Sequence, residues 1–272
     1  MSIIFEETSV HIVVINSWKE ETAELAQAIS RALGNTVFEV QQRMVCGCPT
    51  VLASFADSQQ ALVSVKKLNQ IGIATMVIDT TEVRSRTGCI IVRHFKLNEP
   101  SLHIETSDRR SADIPYEKID VLLPTASTLT YSETRTTTER KFSLGKTILT
   151  GGILMSKKVK HQQEETTEKY KKVLYLYIHK RQQPVVFSQD GITYDGFGEA
   201  MKISRELNFA YLISELHRLS PGAAYDDRLL KRIGQVRLLG PTLNPETNID
   251  LAVEILVRSL RLSPKSDNTC IP

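Results

Sequence analysis

The sequence has few cysteines and no long apolar run. Four cysteines among 272 residues are too few for the disulfide framework of a secreted protein, so we expect reduced thiols and a cytoplasmic location. No apolar run approaches the roughly 18 residues that a membrane-spanning helix needs. The first residues show neither the basic region nor the cleavage site of an export signal. The composition, 41% hydrophobic and 24% charged, is typical of a folded globular protein.

Catalytic and metal-binding motifs are also missing. The sequence contains no Gly-x-Ser-x-Gly and no His-Glu-x-x-His pattern. The tripeptide Gly145-Lys146-Thr147 matches the end of a phosphate-binding loop, but Arg140 stands where that loop needs a glycine. Cys46-Gly47-Cys48 is a lone pair of thiols without the further ligands of a zinc site. We therefore predict a protein that is not an enzyme and that has no cofactor and no metal.

Charge is distributed unevenly along the chain. The 34 lysines and arginines exceed the 31 acidic residues by three, yet residues 140–181 hold eleven basic residues against three acidic ones. This basic belt surrounds an apolar run at residues 148–155. Lysines that flank an apolar tip are typical of proteins that bind anionic lipid surfaces. The candidate surface-binding residues are Lys146, Lys157, Lys158, Lys160, Lys171 and Lys172, and the candidate tip residues are Ile148, Leu149, Ile153 and Leu154.

Two other interpretations of the basic belt are open. The apolar run can belong to the core while the lysines solvate one edge, because exposed apolar patches are uncommon on monomers. Nucleic-acid binding is not expected, because no aromatic residue stands between Lys146 and Lys169 and base stacking needs aromatic side chains.

Strand and helix patterns alternate over the first eighty residues. β-branched runs predict three strands, and apolar residues at three- and four-residue spacing predict three helices between them. Asn16 or Ser17 is the expected cap of the first helix. The order β-α-α-β-α-β predicts a small domain over residues 1–82, followed by a linker at residues 83–87.

The pattern from Val10 to Asp79 resembles the C-terminal domain of the bacterial ribosomal stalk protein. The adaptor that delivers N-degron substrates to the Clp protease uses the same fold. The resemblance rests on the helix that ends at Gly34, the break at Pro49, and the helix from Ala61 to Gly72 before the last strand. It implies a protein-binding module without chemistry of its own. The adaptor holds an amino terminus with an Asn-Asp pair, and the matching Asn16-Ser17 lacks the acidic residue.

Residues 88–219 change to short strand candidates that end in one amphipathic helix. Expected strands include separate ones at residues 121–123 and 128–142, another at 173–179, and a hairpin at Asp190-Gly191 that leads into 192–194. With the phrase Asp113-Ile114-Pro115-Tyr116, this pattern is similar to the pleckstrin-homology-like domains of bacteria. The resemblance implies a second binding domain.

The sequence predicts a helical tail at residues 220–262 and disorder at residues 263–272. One helical segment is expected near residues 226–233, and a second opens at Asn244-Pro245-Glu246. The second segment has an apolar stripe, which either the chain itself or a partner must cover. Its members, the candidate partner helix, are Ile249, Val253, Leu256 and Leu260.

These patterns predict an α+β protein with a small β-α-α-β-α-β domain, a strand-rich domain and a helical tail. The favoured function is a non-enzymatic adaptor or scaffold component that binds other proteins through two interaction domains. The alternative is a membrane-peripheral module that binds anionic lipid through the basic belt. A homo-oligomer is a further partner to test.

Overall fold

The computed structural model describes residues 9–18, 22–45, 47–86, 88–142 and 156–262, with side chains outside 128–170. It divides into two compact units, residues 1–127 with 171–272, and residues 128–170. Helices and strands are mixed in the first unit, with a small N-terminal domain, a strand-rich domain and a C-terminal helix. The predicted α+β class is therefore confirmed. No helix within the described ranges is long and apolar enough to cross a membrane.

The small domain is a three-stranded antiparallel sheet with helices on it. Its central strand has both faces covered, so Ile12, Val13, Val14 and Ile15 are all fully buried. Val13 and Ile15 pack against the helices of the domain, whereas Ile12 and Val14 pack against helices from the C-terminal part of the chain. In chain order the elements are β1 (His11–Ser17), α1 (Ala23–Leu33), α2 (Val37–Met44), β2 (Thr50–Phe55), α3 (Ser58–Gln70) and β3 (Ala74–Asp79), with sheet order β2-β1-β3.

Helix caps explain where the small domain's helices begin. The side chain of Thr22 accepts a hydrogen bond from the backbone of Leu25, so Thr22 caps α1. The expected cap, Asn16 or Ser17, was wrong because both residues belong to β1. Helix α2 begins after Thr36, which forms a reciprocal capping box with Glu39.

A short helix, α4 (Thr80–Ser85), follows β3 directly. The sequence predicted an irregular linker here because the segment is polar and aperiodic. Asp79 caps the helix by accepting hydrogen bonds from the backbone of Thr81 and Glu82. Arg84 and Arg86 then bind Asn248 and Glu254 in the tail. Contacts from distant residues therefore stabilise a helix that its own sequence does not indicate.

The strand-rich domain is one seven-stranded sheet in the order β10-β7-β8-β9-β4-β5-β6. Its strands are β4 (Ile90–Leu97), β5 (Ser101–Thr106), β6 (Ser111–Pro115), β7 (Ile119–Phe142), β8 (Ser156–Ile178), β9 (Val185–Ser188) and β10 (Ala224–Tyr225). Strand β7 runs without interruption through both segments that were predicted as separate strands, and β8 begins well before the predicted position 173. Helix α5 (Arg205–Leu219) supplies Phe209, Leu212 and Leu216 to the core of this sheet.

One predicted strand is absent from the described chain. Residues 192–194 form a turn that leads into a 3-10 helix at Asp195–Ala200. Ile192, Tyr194 and Phe197 are buried in the core of the large sheet. The hairpin predicted from Asp190-Gly191 is therefore wrong: the chain turns there, but the residues that follow form a loop whose apolar side chains are buried. The N–H of Thr193 donates to the carbonyl of Arg93 in β4.

Two C-terminal helices, α6 (Arg232–Leu239) and α7 (Ile249–Leu262), pack against both sheets. The segment predicted near 226–233 is a 3-10 helix at Arg228–Leu230 followed by α6. Helix α7 begins at Ile249 rather than at Pro245, because residues 244–247 close a separate turn in which Thr247 donates to the Asn244 carbonyl. Residues 251–257 of α7 are all buried.

Candidate functional site

Strand β6 is the terminal strand of the large sheet. It pairs only with β5 among the described strands, in an antiparallel register that sets His103 opposite Asp113. Just outside the two strands, the Tyr116 N–H donates to the Pro100 carbonyl and the Thr106 N–H donates to the Arg110 carbonyl. These bonds establish which residues of β6 direct their backbone groups toward β5.

The other residues of β6 direct their backbone groups away from the sheet. In an antiparallel pair, hydrogen-bonded and non-hydrogen-bonded positions alternate. Positions 110 and 116 face β5, so the N–H and C=O groups of Ser111 and Asp113 point outward. Pro115, the next outward position, has no N–H, which is tolerated in an edge strand.

Two cavities reach this terminal strand. Two adjoining cavities of about 480 Å³ and about 430 Å³ both include Ala112 of β6 in their walls. Three buried isoleucines, Ile104, Ile114 and Ile178, contribute to the lining. We call the two cavities together with β6 the edge groove.

One half of the edge groove is basic. Lys118, Lys180 and Arg181 line the same cavity as Asp113. Among the residues that the structure describes, none forms an ion pair with any of these three cations. The carboxylate of Asp113 accepts a hydrogen bond from Nδ1 of His103 at 2.8 Å. Within the described residues, the cavity therefore presents three positive charges without ion-pair partners and one carboxylate that already accepts a hydrogen bond.

Hydrogen bonds fix the main chain that carries these cations. The N–H of His179 donates to the carbonyl of Lys118 at 2.8 Å, which ties the turn after β8 to the 3-10 helix after β6. Arg261 of α7 donates to the carbonyls of Ile178 and Arg181. Lys180 adopts a left-handed backbone conformation with φ of 64°, which is unfavourable for a residue with a Cβ. The turn therefore holds a lysine where glycine is the residue of lowest strain.

The other half of the edge groove is electrically balanced. Arg110 and the hydroxyl of Thr106 both donate to the carboxylate of Asp108. These hydrogen bonds, chiefly that from Arg110, lower the pKa of Asp108 to about 2. Net positive charge is therefore confined to the half that contains Lys180.

A second polar cluster joins β4 to the loop that follows β9. Oγ1 of Thr193 lies 2.8 Å from Nδ1 of His94 and donates to Oδ1 of Asp195 at 2.8 Å. The carboxylate of Asp195 is also near Nδ1 of His94, at 3.7 Å. A catalytic triad places the hydroxyl and the carboxylate on opposite ring nitrogens, whereas both face Nδ1 here. This cluster lacks the geometry of a proton relay.

Most residues of the predicted lipid site fall where the structure gives no side chain. Lys146 and the tip residues Ile148, Leu149, Ile153 and Leu154 lie outside the described residues. Lys157, Lys158 and Lys160 belong to β8, in the part without described side chains. Lys171 and Lys172 are half-buried. The ammonium of Lys172 forms an ion pair with Glu206 of α5, so its charge has a partner within the chain.

The candidate partner helix is α7. Val253 and Leu256 are buried in the core that joins both sheets, and Ile249 and Leu260 are packed against it. The chain itself covers the stripe, so α7 does not offer it to a partner.

The described cysteines show no metal site. Cys48 is half-buried and Cys89 is exposed, whereas Cys46 and Cys270 lie outside the described residues. In the part of the chain that the structure describes, no three His, Cys, Asp or Glu side chains are grouped as metal ligands.

Sequence reasoning missed the edge groove. Lys180 and Arg181 belong to the basic belt but are not among the candidate surface-binding residues, and Lys118 lies outside the belt. Pro115 in a strand candidate was the available signal of an edge strand. Searches of protein-family models, curated proteins and solved structures find no match for the chain, so its two family resemblances stay predictions.

Proposed function

We propose that the chain is a non-enzymatic adaptor that binds a segment of another protein as an added strand along β6. The observation that carries this proposal is the outward direction of the backbone groups of Ser111 and Asp113 beside an open groove. An extended peptide that pairs with a sheet edge gains main-chain hydrogen bonds, and the adjacent groove selects its side chains.

The outward backbone groups contribute hydrogen bonds to a bound strand. Each outward residue has one N–H donor and one C=O acceptor. A typical protein hydrogen bond contributes about 0.5–1.5 kcal/mol net. The turn that holds the cations is fixed by hydrogen bonds from α7 and from His179. A partner therefore meets a preformed surface, which reduces the ordering that binding requires.

Proline at position 111 tests strand addition directly. Ser111→Pro removes an outward N–H and leaves the hydrogen bonds to β5 intact, because position 111 does not pair with β5 through its backbone. The matched control, Ser111→Ala, removes only the hydroxyl and keeps the N–H. Both variants should melt within a few degrees of the unsubstituted protein.

The binding measurement uses a photo-reactive amino acid at Ala112 in cells of the source organism. We expect a covalent protein adduct from position 112 in the wild-type and Ser111→Ala backgrounds, and a reduced yield of it in Ser111→Pro. A photo-reactive residue at the exposed position Lys66 of α3 should give no such adduct. An adduct that persists at full yield in folded Ser111→Pro would contradict strand addition.

A further inference from the structure

We infer that the occupant of the edge groove is an extended acidic segment of another protein, in which Asp or Glu alternates with apolar residues. The inference rests on the proposed strand addition and adds the chemistry of the partner. It comes from the charges and the apolar residues that line the groove beside β6.

The positive charge of the groove favours an acidic partner segment. Lys118, Lys180 and Arg181 line one cavity, without ion-pair partners among the described residues. The only carboxylate in that lining, Asp113, already accepts from His103. A basic segment would bring like charges together, whereas an acidic one would supply the missing partners. The left-handed conformation of Lys180 keeps a cation at a position that glycine would occupy with less strain.

The groove is lined by both apolar and cationic residues, which explains why acidic and apolar residues should alternate in the bound segment. Successive side chains of a strand point to opposite sides. A strand added beside β6 therefore places every second side chain on the sheet face of Ile114, whose cavity is also lined by Ile178. The intervening side chains lie on the face of Asp113, which lines the same cavity as the three cations. The five residues of β6 correspond to about 17 Å of extended chain, so the bound segment needs about five residues.

Other anionic partners fit the groove less well. None of the residues that line either cavity is a phenylalanine, tyrosine or tryptophan, so base stacking by single-stranded nucleic acid has no platform. A lipid headgroup can pair with the cations but cannot pair with alternating N–H and C=O groups. Only a polypeptide backbone satisfies both sets of groups at once.

The test measures fluorescence anisotropy of labelled peptides with the full chain. The probe is Ser-Glu-Val-Glu-Ile-Glu-Val-Ser, and matched peptides carry Gln or Lys in place of Glu. We expect the Glu peptide to bind about tenfold more tightly than the Gln peptide at low salt. An exposed ion pair contributes about 0.2–1 kcal/mol, up to fivefold in affinity, and several pairs form together. The advantage should shrink at high salt because exposed charges are screened.

Single substitutions assign the preference to the groove. Lys118→Gln, Lys180→Gln and Arg181→Gln should each weaken the Glu peptide by about two- to fivefold and leave the Gln peptide unchanged. Lys66→Gln on α3 is the matched control and should change neither. Ser111→Pro should weaken both peptides by about two- to tenfold, the contribution of one hydrogen bond, whereas Ser111→Ala should not.

Each contrary outcome has a separate meaning. Equal affinity for the Glu and Gln peptides, with weaker binding to Ser111→Pro, would overturn the acidic partner and leave strand addition standing. Full binding of the Glu peptide to folded Ser111→Pro would overturn strand addition itself. If the protein sediments with vesicles that contain phosphatidylserine, and the Glu peptide competes with the vesicles, the partner of the groove would be a lipid surface and the acidic peptide would be overturned.

Discussion

Arg86 and Glu254 form an ion pair between residues 168 positions apart, with Nη1 2.8 Å from Oε1. The same carboxylate oxygen accepts from Nε of Arg258, and Glu82 accepts from Arg86. Two arginines and two glutamates therefore form one network that joins α4 to α7. Because Glu254 is buried, the network connects the small domain to the C-terminal helix at a site that is poorly hydrated.

Glu254→Gln should lower the free energy of unfolding by about 2 kcal/mol, because two guanidinium groups would lose their buried anionic partner. Glu82→Gln is the control, since the Glu82 side chain is 53% exposed and exposed pairs contribute about 0–1 kcal/mol. Urea denaturation measures both values. Equal losses in the two variants would show that burial of Glu254 is unimportant.

Shortening a buried side chain of α7 should strongly lower the stability of the fold. Leu256 is 0% exposed and Leu262 is 63% exposed. Leu256→Ala should destabilise the fold by about 2–5 kcal/mol, and Leu262→Ala by less than about 0.5 kcal/mol. Thermal denaturation measures the difference, and light scattering should give an unchanged mass for both. A change of mass with an unchanged melting temperature would instead place Leu256 in an interface.

Lys180→Gly should stabilise the protein by about 0.5–1 kcal/mol, because glycine adopts the left-handed conformation without steric strain. Lys180→Val should have the opposite sign, since a β-branched residue is more strained at positive φ. Urea midpoints test both signs. If the groove binds acidic segments, Lys180→Gly will be more stable and will bind less tightly. A destabilised Lys180→Gly would show that the turn does not store strain.

The carboxyl of Asp108 should titrate near pH 2, because hydrogen bonds from Arg110 and Thr106 lower its pKa to about 2. A lowered folded-state pKa stabilises the fold above the unfolded value, near 4, and the effect is lost as the pH falls through about 2. Carboxyl NMR titration tests this value. Arg110→Gln should raise the midpoint toward 4 and leave Asp195, whose pKa is lowered chiefly by Thr193, unchanged. An unmoved midpoint in Arg110→Gln would remove the stated cause.

Features with local causes could be predicted from the sequence. Strand β2, Thr50–Phe55, is one of the three strands that the sequence predicts in the small domain. The second of the three predicted helices forms at Val37–Met44, where its start has a local cause, the capping box of Thr36 and Glu39. The glycine at position 34 ends α1 with φ of 77°, as the pattern indicated.

Features with distant causes could not be predicted in this way. Helix α4 depends on Asn248 and Glu254, which lie far along the chain. The edge groove depends on the proximity of Lys118 to the turn after β8, which a backbone hydrogen bond from His179 establishes. The hydrophobic pattern of α7 predicted that something must cover it. It could not indicate that the covering residues include Ile12 and Val14 at the opposite end of the chain.

The burial of β1 against α7 also imposes an order on biosynthesis. Ile12 and Val14 leave the ribosome early, but their partners at 251–257 are translated more than two hundred residues later. At 5–20 residues per second, the interval is about 10–50 s. During that time one apolar face of the first sheet lacks the residues that cover it in the folded chain. Strand β1 is therefore translated first but gains its contacts with α7 only after that helix has been made.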